Sequence, residues 1–230
     1  LEDAADGVQS AKNRIAGYAL RLKTRQEKTQ ALQRNLDGVS VQLRTLEAKA
    51  NMLREMERDF EGFSKAVRLV MQEAARGALS GVHGPVSKLI RVEDRYTTAI
   101  ETALGAAMQN IIVDDEASGK AAIQLLKRRD AGRATFLPLS TVTGRRLSEP
   151  SLANMPGYVG VASELAQTDG RYQGILENLL GRTVIAETLD NAIAMARKTG
   201  NRVRIVTLDG QVMNPGGSMT GGSSAKSAGV

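Results

Sequence analysis

The sequence predicts a mixed α/β (α+β) fold in which two small, similar subdomains follow a long coiled-coil helix. Three observations predict it. The first sixty residues carry a heptad repeat of apolar residues, the chain from residue 86 onward alternates between strand-like and helix-like runs, and the second half of that region repeats the pattern of the first. Such an internal repeat is typical of a pseudo-symmetric pair of domains.

The heptad repeat begins at Val8 and continues to Phe60 without a proline. Thirteen of its sixteen a and d positions are apolar, whereas the other positions are rich in Lys, Arg, Glu and Gln. A repeat sustained over about seven heptads is typical of a coiled coil, and at 1.5 Å per residue the helix would be roughly 80 Å long. An apolar seam of this length requires a second helix to cover it.

Helical periodicity continues from Phe60 to Leu79, and the first breakers are Gly77 and the segment Gly81-Val82-His83-Gly84-Pro85. Glycine and proline at this density end a helix. The sequence therefore predicts an arm helix over residues 1–79, followed by the globular part.

The globular region contains a tandem repeat. Tyr96 stands eight residues before Leu104, and Tyr172 stands eight residues before Leu180. A short β-branched run, an acidic turn, a helix and a second strand follow in each half, which predicts two similar α/β subdomains. We expect both tyrosines to lie in the core rather than to serve as stacking platforms. The predicted organisation is a first subdomain over residues 80–140, a connector rich in Pro, Ser, Thr and Gly over 141–157, a second subdomain over 158–222, and a flexible tail over 223–230.

The second subdomain ends with a hairpin and a glycine-rich segment. Asp209-Gly210 between two β-rich runs predicts a type I′ turn. The segment Asn214-Pro215-Gly216-Gly217-Ser218-Met219-Thr220-Gly221-Gly222 follows, and glycine this dense lets the backbone approach either a phosphate or another polypeptide. A phosphate-binding loop needs a lysine where this chain has Gly222, so the sequence favours contact with a partner chain. Met213 and Met219 are expected to pack in the core.

Composition limits the class of function. The chain has no cysteine, which excludes disulfides and thiolate metal sites and favours a reducing, cytoplasmic location. No apolar stretch approaches the ~20 residues of a membrane span, so we expect a soluble, intracellular protein without a membrane partner.

The net charge of +6 is concentrated in one window of the chain. A local excess of this kind is typical of polyanion binding, but Lys and Arg also favour the last turn of a helix, and both interpretations remain open. Arg133 has a third interpretation, as the partner of a carboxylate near a subdomain junction. The candidate DNA-binding residues of this window are Lys127, Arg128, Arg129, Arg133, Arg145 and Arg146.

No constellation of residues predicts catalysis. His83 is the only histidine, so a metal site or a catalytic dyad lacks a second member, and we expect a turn residue. Asp114, Asp115 and Glu116 could hold a magnesium ion, although acidic residues are also favoured in the first turn of a helix.

Three separated motifs resemble the hinge region of SMC proteins, the chromosome-structuring ATPases, and in particular that of the bacterial SMC. They are Gly132-Arg133-Ala134-Thr135-Phe136-Leu137-Pro138-Leu139, Gly160-Val161-Ala162-Ser163-Glu164-Leu165 and the glycine-rich segment. Ala103-Leu104-Gly105 and Asn178-Leu179-Leu180-Gly181 agree as well. The resemblance covers about residues 60–222, and the upstream heptads resemble the inbound arm.

The resemblance implies an SMC-type hinge that dimerises face to face into a small ring closed by two interfaces. In the family, the glycine-rich segment lies at these interfaces. The glycines carried over to this chain are Gly216, Gly217, Gly221 and Gly222, and we expect Ser218 and Thr220 between them to share the interface.

The function implied by the resemblance is mechanical and not enzymatic. The chain would be the homodimerisation hinge of a chromosome condensation and segregation complex of the condensin type, joining two arms so that the complex encircles or tethers DNA, with weak non-specific DNA binding. No cofactor is expected here, because ATP and Mg²⁺ would act at head domains outside this chain, and other condensin subunits would bind elsewhere on the parent protein. The location implied is cytoplasmic and nucleoid-associated.

Two further expectations follow from the sequence. The family continues from the hinge into a second, outbound helix that this sequence does not contain, so we expect a fragment whose arm helix lacks its natural partner. A DNA-binding module whose dimerisation is incidental remains the alternative function.

Overall fold

The computed structural model of the chain describes residues 2–58, residue 60 and residues 62–222. The predicted tail, residues 223–230, lies outside them. The chain divides into two compact units, one that ends at residue 59 and one that begins at Phe60. The second unit combines helices with strands, which confirms the predicted α/β class. Within the described residues, no helix combines the length and the apolar character needed to cross a bilayer.

The first unit is a single helix, α1, which extends from Glu2 to Arg58. Its apolar seam is uncovered: Ile15, Leu32 and Leu46 are 67%, 69% and 64% exposed. The long helix is therefore as predicted, and its exposed a and d side chains form the kind of surface that a coiled coil buries.

The chain leaves the helical conformation earlier than the sequence analysis expects. Phe60 has φ +52° and Gly62 has φ +90°, both in the left-handed region that a right-handed helix cannot contain. A new helix, α2 (Lys65–Ala75), begins after Ser64, whose side chain caps its first turn. The sequence analysis overlooked this combination of a glycine and an N-cap.

Helix α2 belongs to the globular unit. Phe63, Val67 and Val70 are buried in a cluster with Ile111 and Leu126. The structure thus starts the globular unit at Phe60 instead of residue 80, because α2 covers the sheet of the first repeat.

The first repeat builds a three-stranded sheet. Its elements are β1 (Val82–Pro85), α3 (Val86–Leu89), β2 (Ile90–Val92), α4 (Thr97–Leu104), β3 (Ile111–Val113), α5 (Glu116–Arg128) and β4 (Phe136–Pro138). Strand β3 is central: it pairs antiparallel with β1 and parallel with β4. Beyond β4 the described residues add no further strand to this sheet.

The second repeat builds the same arrangement and extends it. Its elements are α6 (Pro150–Ala153), β5 (Tyr158–Val161), β6 (Ala166–Thr168), α7 (Gln173–Leu180), β7 (Thr183–Ala186), α8 (Leu189–Lys198), β8 (Arg204–Thr207), β9 (Val212–Met213) and β10 (Met219–Thr220). Strand β7 pairs antiparallel with β5 and parallel with β8, as β3 does with β1 and β4. Strands β9 and β10 then continue the sheet in the order β10-β9-β8-β7-β5.

A β-bulge recurs at the same place in both repeats. The register shifts between Val82 and Gly84 in the first sheet, and between Tyr158 and Gly160 in the second. Both glycines have positive φ, +146° and +158°. A β-bulge is a specific feature of a strand pair and not a defect. Its recurrence at the same place is therefore structural evidence, in addition to the sequence pattern, that the two repeats are equivalent.

The hydrophobic cores of the two repeats interlock. Ile100 of α4, in the first repeat, is buried against Ile185 and Val206 of the second sheet. Ile175 of α7, in the second repeat, is buried in a cluster with Ile112 of the first sheet. Each sheet is therefore covered in part by a helix of the other repeat.

Two polar features also join the repeats. Strands β2 and β6 form an antiparallel ribbon of their own. Beside it, the Nε2 atom of His83 lies 2.7 Å from the Asp114 carboxylate, and the Nδ1 atom lies 3.1 Å from the Tyr172 hydroxyl. Because an ionised carboxylate only accepts, Nε2–H donates to Asp114, and Nδ1 forms the hydrogen bond with the Tyr172 hydroxyl. His83, expected in a turn, instead lies in β1 and connects the two repeats.

Interlocked cores predict that the globular unit unfolds as a whole. Ile100→Ala removes a side chain that is only 1% exposed, and we expect it to lower the free energy of unfolding by about 2–5 kcal/mol. Denaturant unfolding followed by circular dichroism and by amide exchange should show the loss in both sheets. Ile123→Ala, on α5 where the side chain is 53% exposed, is the matched control and should change stability by less than about 0.5 kcal/mol. A loss confined to the first repeat would contradict the interlocked core.

Candidate self-association edge

The glycine-rich segment forms the last hairpin of the five-stranded sheet. Strand β10 pairs with β9, with Met219 opposite Met213 and Thr220 opposite Val212. No strand among the described residues pairs with the outer side of β10, so the sheet ends there with an exposed strand. All six predicted interface residues, from Gly216 to Gly222, lie on this exposed hairpin and the residues just after it.

Hydrogen bonding fixes which backbone groups face outward. The Asn214 amide donates to the Ser218 carbonyl at 2.8 Å. In an antiparallel pair, residues alternate between those bonded to the neighbouring strand and those that face away from it. The amide and carbonyl groups of Met219 and Gly221 therefore point to the open edge, where a further strand could bind them.

The hairpin turn requires its glycines for conformational reasons. Gly216 and Gly217 have φ +87° and +92°. A Cβ atom on Gly216 would meet nothing within 4 Å, so crowding inside the chain does not explain its identity. The Gly216 amide donates to the Asn201 carbonyl at 2.8 Å, which fastens the turn to the loop after α8.

Met219 is the interface candidate that sequence analysis missed. It was expected to pack in the core, but its side chain is 54% exposed, whereas Met213 opposite it is 5% exposed. Paired residues of an antiparallel ladder lie on one face of the sheet, so Met219 extends the buried face beyond its last covered strand. The position of Met219 on a short strand between glycines was the sequence signal that could have indicated an exposed residue.

The turn between β8 and β9 supports this edge but differs from the predicted type. A type I′ turn needs positive φ at both central residues, and here Gly210 has φ +89° while Asp209 does not. The Gly210 amide donates to the Thr207 carbonyl at 2.9 Å, which matches a turn closed by a left-handed glycine. The Asp209 carboxylate accepts from the Thr207 hydroxyl and from Gln211, and these hydrogen bonds lower the pKa of Asp209.

The six candidate DNA-binding residues do not share one location. Lys127, Arg128 and Arg129 are exposed at the C-terminal end of α5, and Arg133 is exposed in the following loop. The structure describes no carboxylate within ion-pair distance of Arg133, so the interpretation of that residue as a structural partner has no support.

Arg145 and Arg146 lie in a loop that is fastened to α7. The Asn178 side chain donates to the Thr143 carbonyl at 2.9 Å, and an Arg146 nitrogen lies 2.7 Å from the Glu177 carboxylate. Hydrogen bonds from Gln173 and Arg146 lower the pKa of Glu177, and the same contact raises the pKa of Arg146. Arg145 and Arg146 are both exposed, and Arg146 has an ion-pair partner within the chain.

The acidic trio has separate partners. Asp115 caps α5 by accepting from the Ser118 amide at 2.8 Å, and its bonds to Ser118 lower the pKa of Asp115. Asp114 contacts His83, and Glu116 accepts from the Ser140 hydroxyl at 2.8 Å. Over the residues that the structure covers, no group of three acidic, histidine or cysteine side chains is placed to hold a metal ion.

Comparisons with known proteins agree on one family. The family model of the SMC proteins Flexible Hinge Domain matches residues 79–196. The chromosome partition protein Smc of Bacillus subtilis (strain 168) is 47% identical over 182 residues, which are 78% of this chain and 15% of that protein. The Smc of Lactiplantibacillus plantarum is 37% identical over 225 residues, or 96% of this chain and 19% of that protein. The chain thus spans less than a fifth of the length of these curated relatives.

Solved structures give the same result. An asymmetric dimer of the Geobacillus stearothermophilus SMC hinge domain is similar with a TM-score of 0.73 and 46% identity, over 78% of this chain and 74% of that one. The Pyrococcus furiosus SMC protein hinge domain is similar with a TM-score of 0.59 and 30% identity. The match covers 76% of this chain and 89% of that one. These matches confirm the resemblance described from the sequence motifs.

The hydrogen bonds of Asp209 predict a dependence of stability on pH. Because its pKa is lower in the folded chain than in the unfolded chain, the carboxylate stabilises the fold above its unfolded pKa of about 3.9, and this contribution disappears as the pH falls through the folded value. Asp209→Asn should therefore flatten the fall of the unfolding free energy below about pH 4. Urea unfolding at a series of pH values measures this dependence of the unfolding free energy on pH. Thr207→Val, which removes one donor, should flatten the curve in part, and an unchanged curve in both variants would contradict the assignment.

Proposed function

The chain belongs to the SMC flexible hinge domain family, and from this we propose that it acts as a homodimerisation hinge that joins two coiled-coil arms. The role is mechanical: the parent complex would encircle or tether DNA by closing one end of a ring at the hinge. ATP-dependent contacts of distant head domains, together with other condensin subunits, would act elsewhere on the parent protein. The observation that carries the proposal is the open edge at β10.

The open edge supplies half of a strand-to-strand interface. Met219 and Gly221 offer outward-facing amide and carbonyl groups, and the glycines on either side leave room for a partner backbone. Met219 adds an exposed apolar side chain on the face that the core already uses. Main-chain hydrogen bonds then give affinity, and an apolar contact beside them excludes water from those bonds.

The first sheet supplies the complementary half. It stops at β4, where the second sheet continues with β9 and β10. We infer that β10 of one protomer pairs with β4 of its partner, which would join three strands to five in one sheet. A two-fold axis would repeat the contact and give the two interfaces of a closed ring, and two-fold closure is the commonest symmetry of homodimers.

The basic residues at the end of α5 support weak DNA binding as part of this role. Lys127, Arg128 and Arg129 are exposed near the negative end of the helix dipole, and Arg133 adds a fourth positive charge. Contacts of this kind reach phosphates without reading sequence. The same cluster favours the second candidate function, a DNA-binding module whose dimerisation is incidental.

Blocking the β10 edge should produce monomers. Gly216→Glu/Gly221→Glu places two charged side chains on the hairpin, and Met219→Pro removes an outward amide without touching the bonds to β9. We expect light scattering over a concentration series to give a dimer for the unmodified chain and monomers for both variants.

The control must carry the same backbone strain. Gly77→Glu fulfils this, because Gly77 has φ +78° and open space around it, much as Gly216 does. The control should remain dimeric. A dimer that persists in all variants would assign the association to the exposed seam of α1 and would overturn the hinge edge proposed here.

DNA binding should weaken steeply with salt. Each lost phosphate contact reduces the slope of log affinity against log salt by about 0.9 for duplex DNA, so Arg128→Glu/Arg129→Glu should reduce it by up to about 2. Fluorescence anisotropy with a labelled duplex at several salt concentrations measures this, and Lys65→Glu/Arg68→Glu on α2 is the charge-matched control. DNA affinity that survives in the monomeric Met219→Pro variant would favour the DNA-binding module, whereas affinity that falls with the dimer would favour the hinge.

A further inference from the structure

Helices α5 and α8 occupy equivalent places in the two repeats, and they end in the same way. The residue that follows the C-cap of each helix, Asp130 or Gly200, has positive φ, +46° or +61°. The next amide bonds back to the carbonyl five residues earlier, at 3.1 Å for Ala131 and 2.8 Å for Asn201. These are the features of a Schellman motif. The loop after α5 is therefore a reference for the loop after α8.

The two loops differ in the backbone of the next residue. Asn201 has φ +54°, whereas Ala131 is not among the non-glycine residues with positive φ. Gly200 and Asn201 are thus two consecutive residues in the left-handed region. This region is unfavourable for a residue with a Cβ atom, although asparagine tolerates it better than most. Such a backbone persists where neighbouring contacts require it, and it is often found at functional positions.

Asn201 contacts the turn of the β9–β10 hairpin. Its carbonyl accepts the Gly216 amide at 2.8 Å, and a Cβ atom on Gly217 would lie 3.8 Å from the Asn201 Cγ atom. Two further backbone hydrogen bonds of this turn, from the amides of Asn214 and Gly217, stay within it. Among the described residues, the first repeat has neither the hairpin nor a positive φ at Ala131. The left-handed Asn201 therefore accompanies the hairpin.

The hairpin needs such a support because β10 is short. Strand β10 consists of two residues, Met219 and Thr220, and it ends the sheet. A strand of this length pairs weakly, so an unsupported hairpin would sample several directions. A segment that becomes ordered on association loses affinity, and fixing it beforehand removes this cost.

We propose that Asn201 is a positioning residue for the self-association edge. Its left-handed backbone directs its carbonyl to the Gly216 amide, and this hydrogen bond holds the hairpin in the direction from which Met219 and Gly221 meet a partner strand. The inference rests on the homodimer proposed above. It adds a residue outside the glycine-rich segment that controls the edge.

Two substitutions separate the backbone of Asn201 from its side chain. Asn201→Gly removes the side chain but adopts positive φ freely, whereas Asn201→Val disfavours positive φ because valine is β-branched. We expect Asn201→Val to raise the dimer dissociation constant about tenfold and Asn201→Gly to change it less than about threefold, as measured by sedimentation equilibrium. Hydrogen exchange of the Gly216 amide, measured by NMR in the monomeric Met219→Pro background, should be faster with Asn201→Val and not with Asn201→Gly.

Gly77→Val is the matched control. Gly77 has φ +78° and open space around it, and it likewise follows the C-cap of its helix, α2. This variant should leave the dissociation constant unchanged. A dissociation constant for Asn201→Val within about threefold of the unmodified value, or an equal loss with Asn201→Gly, would overturn the inference. Thermal unfolding establishes that the variants are folded, and Asn201→Ala replaces Asn201→Val if valine is not tolerated.

The two measurements distinguish this inference from the homodimer. Faster exchange of the Gly216 amide with an unchanged dissociation constant would overturn the role of Asn201 in self-association and leave the homodimer standing. An unmodified chain that stays monomeric would overturn the homodimer. Equal exchange with Asn201→Val and Asn201→Gly would then overturn the fastening of the hairpin as well.

Discussion

The sharing of one core by two repeats is the constraint on which the rest of the globular unit depends. A three-stranded sheet is too small to bury its own faces, and here α4 and α7 reach across to the opposite sheet. The β2–β6 ribbon and the contact between His83 and Tyr172 lie at the same junction. Because each repeat completes the other, their relative orientation is fixed, and so is the direction in which the two sheet edges face.

The two repeats share an arrangement of strands but have different sheet edges. Both repeats keep the central strand with one antiparallel and one parallel neighbour, and both keep the glycine bulge. Among the described residues, the second repeat alone adds the hairpin of β9 and β10, so one sheet ends in a short glycine-flanked strand and the other ends at β4. Two different edges on one chain allow the closed dimer proposed above, since a two-fold axis would repeat the contact of β10 with the partner's β4.

The sequence predicted the elements that depend on local residue patterns. It did not predict packing and exposure, which depend on contacts between distant parts of the chain. Heptad spacing gave α1, and equal spacing around Tyr96 and Tyr172 gave the repeat and its equivalent elements. The packing of α2 could not be predicted, because it is set by residues distant in sequence. The end of α1 and the turn at Gly210 depend on local signals that the sequence analysis did not use: Gly62 with the Ser64 cap, and the hydrogen bonds of Thr207. The six candidate interface residues lie together on one hairpin and just after it. Met219 was expected to pack in the core, because an apolar residue on a strand carries no sign of whether that strand is the last one. The six basic residues lie within twenty residues of sequence, but the fold divides them between the C-terminal end of α5 with the loop after it and the loop along α7.

Helix α1 ends at Arg58, before the globular unit begins, and this determines where a force along the helix would enter that unit. In the arm-joining role proposed above, tension along α1 would enter the globular unit at Phe60 and would pass first to α2, which packs on the three-stranded sheet. The hairpin of β9 and β10 belongs to the other sheet, so the force crosses the junction between the repeats before it reaches that hairpin. The packing between the two repeats would therefore bear the same load as the two sheets.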